Sequence, residues 1–195
     1  MLFYVKNNFI ATLALTALFA LAFLLTVKLF YLPPPLLPLD KFLATATIGL
    51  AAIILSDALL HGALYALFKQ RYISYYRELV YYFDAQQPRH IIASGLLAGG
   101  EELVFRGIIL GGLLHSGLFN TPVSVIISSI LFSLCHLIPN RKLAPFAIWA
   151  VWESVLLCAI YVTSGSLAAT VAAHALHDTL GFSAFKYQRK SGFWL

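Results

Sequence analysis

The sequence predicts an all-α polytopic membrane protein, a bundle of about six transmembrane helices forming a single domain over residues 1–195. The chain is 61% hydrophobic and only 11% charged, whereas soluble proteins average about a quarter charged residues. It also has six apolar stretches, each near the roughly 20 helical residues needed to cross a bilayer. They cover residues 9–31, 42–68, 91–116, 119–138, 143–163 and 166–185.

The connections between these stretches differ in character. The first contains Leu32-Pro33-Pro34-Pro35, a stiff break between two helices. The second, residues 69–90, mixes tyrosines with arginines, which is typical of a helix lying in the headgroup region; a substrate-gating loop is the alternative. The remaining connections are short, so consecutive helices should be antiparallel neighbours. The first stretch is too long for the h-region of a signal peptide, about 7 to 15 residues, and is expected to be a span.

The basic residues predict the orientation of the helices. If the spans alternate in direction, ten of the thirteen Lys and Arg residues fall on one side of the membrane, and the positive-inside rule makes that side cytoplasmic. We therefore expect an integral protein of the bacterial inner membrane or an equivalent membrane, with both termini cytoplasmic. Anionic lipid headgroups are the expected partners of this charge, and nucleic acid is not. The ten residues are Lys6, Lys69, Arg71, Arg77, Arg89, Arg141, Lys142, Lys186, Arg189 and Lys190.

Ionisable residues inside the apolar stretches indicate a functional site. Five of the eight acidic residues lie there: Asp57, Glu101, Glu102, Glu153 and Asp178. A charge at the centre of a bilayer costs roughly 2.5 to 3.5 kcal/mol on insertion scales, so such groups are expected to pair, to face water or to take part in chemistry. The two cysteines, Cys135 and Cys158, both fall in predicted helices; they suggest no disulfide framework and are expected to be reduced core residues.

The adjacent acids Glu101 and Glu102 are the centre of this site. Glu101 lies ten residues into the third stretch, about 15 Å deep at 1.5 Å per residue. Glu102 and Arg106 are one helical turn apart and share a face, whereas Glu101 is rotated by about 100° and can point elsewhere. The alternative is a salt bridge that only fixes helix packing.

Two further stretches carry histidines to a similar depth. His136 follows Phe132 in the fourth stretch, and His174 lies one turn before Asp178 in the sixth. Each histidine taken alone is more often a hydrogen-bonded core residue, but three such helices favour convergence on one cytoplasm-facing cavity. A carboxylate beside a histidine can activate water for hydrolysis of an acyl bond, and two histidines with a glutamate can also bind zinc. The spacing does not separate these mechanisms.

Other polar residues in the apolar stretches are expected to be secondary. Asp57 and His61, one turn apart, are predicted to pair with each other or to support the site. Glu153 is expected to neutralise Arg106 or a histidine, and His177 to face a polar crevice. The chain lacks the His-Glu-x-x-His pattern of zinc proteases. It also lacks a Gly-x-Ser-x-Gly nucleophile elbow, so a serine mechanism is poorly supported.

Three segments together resemble the CPBP family of intramembrane proteases, which includes the CAAX prenyl endopeptidases and bacteriocin-processing enzymes. The family pattern is Glu-Glu-x-x-x-Arg, then Phe-x-x-x-His, then His-x-x-x-Asn or a similar residue. The chain has Glu101-Glu102-Leu103-Val104-Phe105-Arg106, Phe132-Ser133-Leu134-Cys135-His136 and His174-Ala175-Leu176-His177-Asp178. The resemblance covers about residues 91–185, the motif-bearing core.

The resemblance implies an intramembrane endopeptidase that cleaves a membrane-associated or prenylated protein, with Glu101, Glu102, Arg106, His136, His174 and Asp178 as site residues. Glu101 and His136 would activate water, Glu102 and Arg106 would orient the pocket, and His174 with Asp178 would hold the oxyanion. No resident cofactor is expected, with zinc bound by Glu101, His136 and His174 as the alternative. The partners would be membrane lipid and a protein or peptide substrate.

Position 178 departs from the family pattern, because an aspartate stands where an amide is common. An amide donates to an oxyanion, whereas an ionised carboxylate repels it, so Asp178 is either protonated or orients His174. This departure leaves room for a non-catalytic immunity or regulatory protein on the same scaffold. A proton-coupled transporter is a third alternative, although the chain shows no internal repeat.

Overall fold

The protein is described by a computed structural model over residues 8–30, 37–83, 87–136 and 144–191. Regular structure in these ranges is helical throughout, which confirms the predicted all-α bundle. The proline-rich loop, together with Lys6, Arg141 and Lys142 of the orientation argument, lies outside the described residues.

The helices follow the six apolar stretches closely. Each stretch lies on a helix, the third one as an unbroken helical path through α4, a π-helical segment and α5, and the polar residues between the second and third stretches form α3. Gly117 (φ 67°) and Gly165 (φ 66°) follow α5 and α7 in the left-handed conformation that ends many helices. The elements are α1 Phe9–Phe30, α2 Leu39–Phe68, α3 Gln70–Phe83, α4 Pro88–Glu102, the π segment Leu103–Leu110, α5 Gly111–Ser116, α6 Thr121–Cys135, α7 Pro145–Ser164 and α8 Leu167–Ser191.

Three helical stretches among the described residues are long and apolar enough to cross a membrane: Phe9–Lys28, Leu39–Phe68 and Pro145–Ser164. Their outward faces carry large apolar side chains such as Leu24, 62% exposed, and Ile48, 69% exposed, and apolar surface on this scale indicates contact with lipid. The protein is thus an integral membrane protein. The apolar helix Thr121–Cys135 is shorter, and the total of six spans stays a prediction.

Small residues let α8 pack closely against α4 at the centre of the bundle. A Cβ placed on Gly95 would lie 2.8 Å from the carbonyl oxygen of Ala175, and one on Gly99 would lie 3.3 Å from the Cβ of Ala175. Close approach at small residues is the usual packing mode between membrane helices, because lipid tails are as apolar as leucine and leave little hydrophobic force to join them. This contact brings the acidic end of α4 against the histidines of α8.

The amphipathic helix α3 packs across one end of the bundle. Its Phe83 contacts Phe182 and Phe185 of α8, and its Tyr76 donates a hydrogen bond to Gln188. Phe9, at the start of α1, packs against His90 at the start of α4. The start of α1, the start of α4 and the carboxyl end of α8 therefore share one end of the molecule; that this end is cytoplasmic stays a prediction.

Cys135 and Cys158 form no disulfide with each other. Cys158 is fully buried, as expected of a core residue, but Cys135 is exposed, so its expected place in the core is wrong.

Candidate active site

Glu102 and Arg106 form a buried ion pair inside the bundle. Both side chains are 0% exposed, and Nη1 of Arg106 donates to Oε1 of Glu102 over 2.9 Å. Nη2 of Arg106 reaches α7, where it donates to the carbonyl oxygen of Ser154 at 2.9 Å and to its Oγ at 2.7 Å. A buried guanidinium needs this many partners because each unpaired donor would cost the free energy of its lost hydration.

The π-helical segment carries Arg106 to this position. A π segment widens the helix locally and is frequent at functional sites. Ser128 of α6 donates to the carbonyl oxygen of Phe105 over 2.9 Å, which satisfies one acceptor in the altered backbone. The segment begins directly after Glu102, so the two members of the ion pair lie on either side of the change in helical geometry.

Glu102 also binds His174, which lies 72 positions away in the chain. The distance from its Oε1 to Nδ1 of His174 is 2.7 Å, and His174 is 2% exposed. With Nδ1 held by this carboxylate, Nε2 of His174 faces Glu153 Oε1 at 3.6 Å and Asp178 Oδ1 at 3.8 Å. The second glutamate of the motif, Glu102, is therefore the one that orients His174.

Glu101 turns toward α6 instead. Its Oε2 lies 3.6 Å from Nε2 of His136, and both residues are 7% exposed. His136 follows the last residue of α6 rather than lying within the helix, and its Nδ1 is 2.8 Å from the carbonyl oxygen of Phe132. A carbonyl only accepts, so Nδ1 carries a proton and Nε2 is left to face the carboxylate.

Phe132 joins the two halves of this arrangement. Its ring centroid is 4.3 Å from that of His136 and 6.0 Å from that of His174. The guanidinium carbon of Arg106 lies 4.8 Å from the same centroid, within the range of a cation–π interaction. One buried aromatic ring thus sets the spacing between the two histidines and the arginine.

A third group of side chains surrounds His177. Its Nε2 lies 2.8 Å from Oδ2 of Asp57, and its Nδ1 lies 3.0 Å from Oε1 of Glu153 and 3.2 Å from Oδ1 of Asp178. We call these four residues the His177 cluster; it joins α2, α7 and α8. The sequence predicts only that His177 faces a polar crevice. In the structure three acids contact its ring, so it lies at the centre of a polar cluster.

Asp57 and His61 do not form the expected pair. Asp57 pairs with His177, whereas His61 contacts the hydroxyl of Tyr72 on α3, and its ring packs at a tilt against that of Trp149. Side chains one turn apart on a helix can face the same way and still bind different neighbours. Glu153 does lie next to histidines, as one of its expected roles required, with its Oε1 3.6 Å from His174 and 3.0 Å from His177.

A cavity of about 200 Å³ adjoins these groups. Its polar lining includes His136, His174, Glu153 and Asp178, and its apolar lining includes Phe83 of α3 and Phe182 of α8. The cavity therefore extends from the histidines toward α3, at the end of the bundle where α8 finishes. At about 200 Å³ the cavity is smaller than most small-molecule sites, but its apolar walls and few convergent polar groups are the lining typical of one.

The side chains whose ligand atoms lie close enough together to share a metal ion differ from the set expected for zinc. Among the described residues, Glu153, His177 and Asp178 have ligand atoms that all lie within 4.8 Å of one another. The anticipated set of Glu101, His136 and His174 is divided, because His174 binds Glu102 while His136 lies beside Glu101.

The residues near the site differ in how clearly the sequence marks them. Glu153 and Asp57 stand out as acids in apolar stretches, but spacing does not reveal their partners. His177 points about 100° away from Asp178 around the helix axis, so its position on the helical wheel predicts only a minor role for it. Ser154 carries no signal at all, because a serine in an apolar helix is common and its bond to Arg106 spans 48 positions.

Comparison with known protein families identifies one match. The family model of the Rce1-like type II CAAX prenyl endopeptidases matches residues 85–180. All three motifs, from Glu101 to Asp178, lie inside that region. No curated protein and no solved structure matched the chain.

Proposed function

We propose that this chain, whose residues 85–180 match the Rce1-like type II CAAX prenyl endopeptidase family, is an intramembrane endopeptidase that hydrolyses a peptide bond of a membrane-associated or prenylated protein. The match to a protease family supports peptidase activity at the family level. The observation that carries the proposal is the division of labour between the two glutamates: Glu102 is bound by Arg106 and His174, whereas Glu101 faces His136 across 3.6 Å.

Glu101 and His136 are the proposed pair that activates water. A separation of 3.6 Å is too long for a direct hydrogen bond and suits a water molecule that contacts both groups. Such a water can give its proton to the carboxylate as its oxygen attacks the scissile carbonyl carbon. Glu101 then carries the proton that the departing amine requires.

His174 is the proposed oxyanion donor. Its Nδ1 lies 2.7 Å from Oε1 of Glu102, which sets the ring orientation. His174 lines the cavity, and with both ring nitrogens protonated its Nε2 can donate to the negative oxygen that forms. Asp178 is proposed to position the ring, because its Oδ1 lies 3.8 Å from Nε2 and also binds His177.

The substrate and its approach follow from the cavity. Its apolar walls on α3 and α8 suit a lipidated or hydrophobic segment, and the basic residues near that end suit anionic lipid headgroups. We infer that this end is cytoplasmic and that the protein lies in the bacterial inner membrane or an equivalent membrane with both termini inside.

The test is peptide cleavage by the purified protein in lipid vesicles, with a fluorogenic farnesylated CAAX peptide and a fluorogenic peptide without a prenyl group as probes. Glu101→Gln should lower the rate about 10²- to 10⁴-fold, the usual contribution of a general base. Asp40→Asn is the matched control, because Asp40 is an exposed acid in the first turn of α2. Cleavage of either probe by Glu101→Gln at the control rate would overturn the assignment.

One observation favours a second candidate function. Asp178 replaces the amide common in the family, and it is 25% exposed at the cavity. A carboxylate there opposes oxyanion formation and fits a non-catalytic immunity or regulatory protein. In that case Asp178→Asn would leave both probes uncleaved, and cells that carry Glu101→Gln would keep the phenotype of cells with the native chain. An endopeptidase should instead keep or gain activity with the amide at position 178.

A further inference from the structure

We propose that Glu153, His177 and Asp178 bind one divalent transition-metal cation, with zinc as the best match, at a position beside the Glu101–His136 pair. The site uses two helices, α7 and α8, and residues outside the water-activating pair. It shares Asp178 with the proposed peptidase site, but it stands on the geometry of the His177 cluster.

The distances in the cluster suit a bound cation. Nδ1 of His177 lies 3.0 Å from Oε1 of Glu153 and 3.2 Å from Oδ1 of Asp178. With zinc bonds of about 2.0 to 2.2 Å, neighbouring ligand atoms of a tetrahedral site lie roughly 3.3 Å apart. The imidazole nitrogen is therefore already near coordination spacing from each of the two carboxylate oxygens, and all three atoms lie within 4.8 Å of one another. A fourth position remains for a water molecule.

Protonation of His177 alone does not satisfy the cluster. A ring with both protons donates to Asp57 from Nε2 at 2.8 Å and to Asp178 from Nδ1 at 3.2 Å. Oε1 of Glu153 lies 3.0 Å from the same Nδ1, nearer than Asp178, yet it accepts no hydrogen bond from any of the described residues, and Glu153 is only 9% exposed. A cation in place of the Nδ1 proton would bond to His177, Asp178 and Glu153 together.

Asp57 completes the arrangement as a positioning residue. A metal-binding histidine usually donates its second ring nitrogen to a carboxylate, which fixes the tautomer that leaves the other nitrogen free for the metal. Oδ2 of Asp57 is 2.8 Å from Nε2 of His177, on the far side of the ring from Glu153 and Asp178. The acid on α2 thus has the place that such a partner requires.

The charge balance of the pocket also favours a cation. Five carboxylates face the three histidines and Arg106: Asp57, Glu101, Glu102, Glu153 and Asp178. Uncompensated charge within a membrane is expensive. A divalent ion in the His177 cluster, where three of the five acids lie, supplies more positive charge than the single proton it replaces.

The experiment measures zinc bound to protein purified without a metal-affinity step, stripped with EDTA and then titrated in detergent micelles. The native chain should bind one zinc per chain by elemental analysis. His177→Ala and Glu153→Gln should each weaken binding at least tenfold, and Asp57→Asn should weaken it about 10- to 100-fold. Cobalt should give the visible absorption of a nitrogen–oxygen site and lose it in the same variants.

Matched controls separate this site from others. Asp40→Asn and His115→Ala, at exposed positions on α2 and α5, should bind zinc like the native chain, as should Glu101→Gln. Where His177→Ala fails to fold, Glu153→Gln and Asp57→Asn carry the test, with helical content checked by circular dichroism. Less than one zinc per native chain, or loss of zinc with Glu101→Gln but not with Glu153→Gln, would overturn the site.

The two proposals can fail separately. Zinc binding that depends on Glu153, without cleavage of either peptide probe, retains the metal site and rejects the peptidase. Cleavage that depends on Glu101, by a chain that binds no zinc, retains the peptidase and rejects the metal site.

Discussion

Glu102 lies 2.7 Å from His174, a residue 72 positions later in the chain, through the same oxygen that accepts from Arg106 at 2.9 Å. One carboxylate oxygen thus joins the motif of α4 to the motif of α8. Because the second oxygen of Glu102 has no hydrogen-bond partner among the described residues, the stability of this buried group depends on those two contacts, and it is the point at which substitution should be most costly.

Glu102→Gln should destabilise the bundle strongly. It leaves the Arg106 charge buried without its counter-ion, and breaking a buried pair from one side costs about 3 to 5 kcal/mol. The double variant Glu102→Gln with Arg106→Met removes both charges and should recover part of that loss. Reversible unfolding by SDS in mixed micelles measures the free energies; additive losses in the double variant would contradict the ion-pair account.

Ser154→Ala should have a smaller effect. The substitution removes the hydroxyl that accepts from Arg106 at 2.7 Å but keeps the carbonyl acceptor at 2.9 Å. Since a hydrogen bond to a charged group contributes about 1.5 to 3 kcal/mol, we expect a loss near the lower end of that range. Ser116→Ala, at an exposed position, is the control, and equal unfolding free energies for the two variants would contradict this role of Ser154.

Gly95→Ala should disrupt the contact of α4 with α8. The new Cβ would overlap Oγ1 of Thr179 and lie 2.8 Å from the carbonyl oxygen of Ala175, so overpacking should raise the free energy of the folded bundle by about 1 to 3 kcal/mol. Removing the hydroxyl with Thr179→Ala should not rescue the variant, because the backbone oxygen remains. Gly62→Ala is the matched control in the same SDS unfolding measurement: nothing lies within 4 Å of its Cβ position, and alanine is the better helix former.

Several features of the candidate site could be predicted from the sequence because they depend on a single helix. Glu102 and Arg106 are one turn apart, so any helix places them on one face, and the structure shows their ion pair. The same geometry turns Glu101 away from Glu102, and Glu101 does lie toward a different helix. Hydrophobic length predicted the helices because a span must satisfy its backbone internally.

Relations between helices could not be predicted in this way. Asp57 and His61 share a face of α2, yet they bind different helices. The rotation of α8 places His177 beside Asp57, and the position of α3 places Tyr72 beside His61. The angle between His177 and Asp178 on their own helix indicates a minor role for His177, but three acids meet its ring because α2 and α7 pack on that side. A helical wheel gives the directions of side chains around the axis of one helix. It carries no information on how neighbouring helices are placed or rotated.

By itself the sequence determined that the chain forms apolar helices, that ionisable groups lie within them, and that three motifs occur in the order of a known protease family. Only the tertiary structure decided which glutamate faces which histidine, that Ser154 binds Arg106, and that Glu153, His177 and Asp178 converge. The physical reason is that helix formation and side-chain spacing are local, whereas these contacts depend on how each helix is rotated and packed against the others.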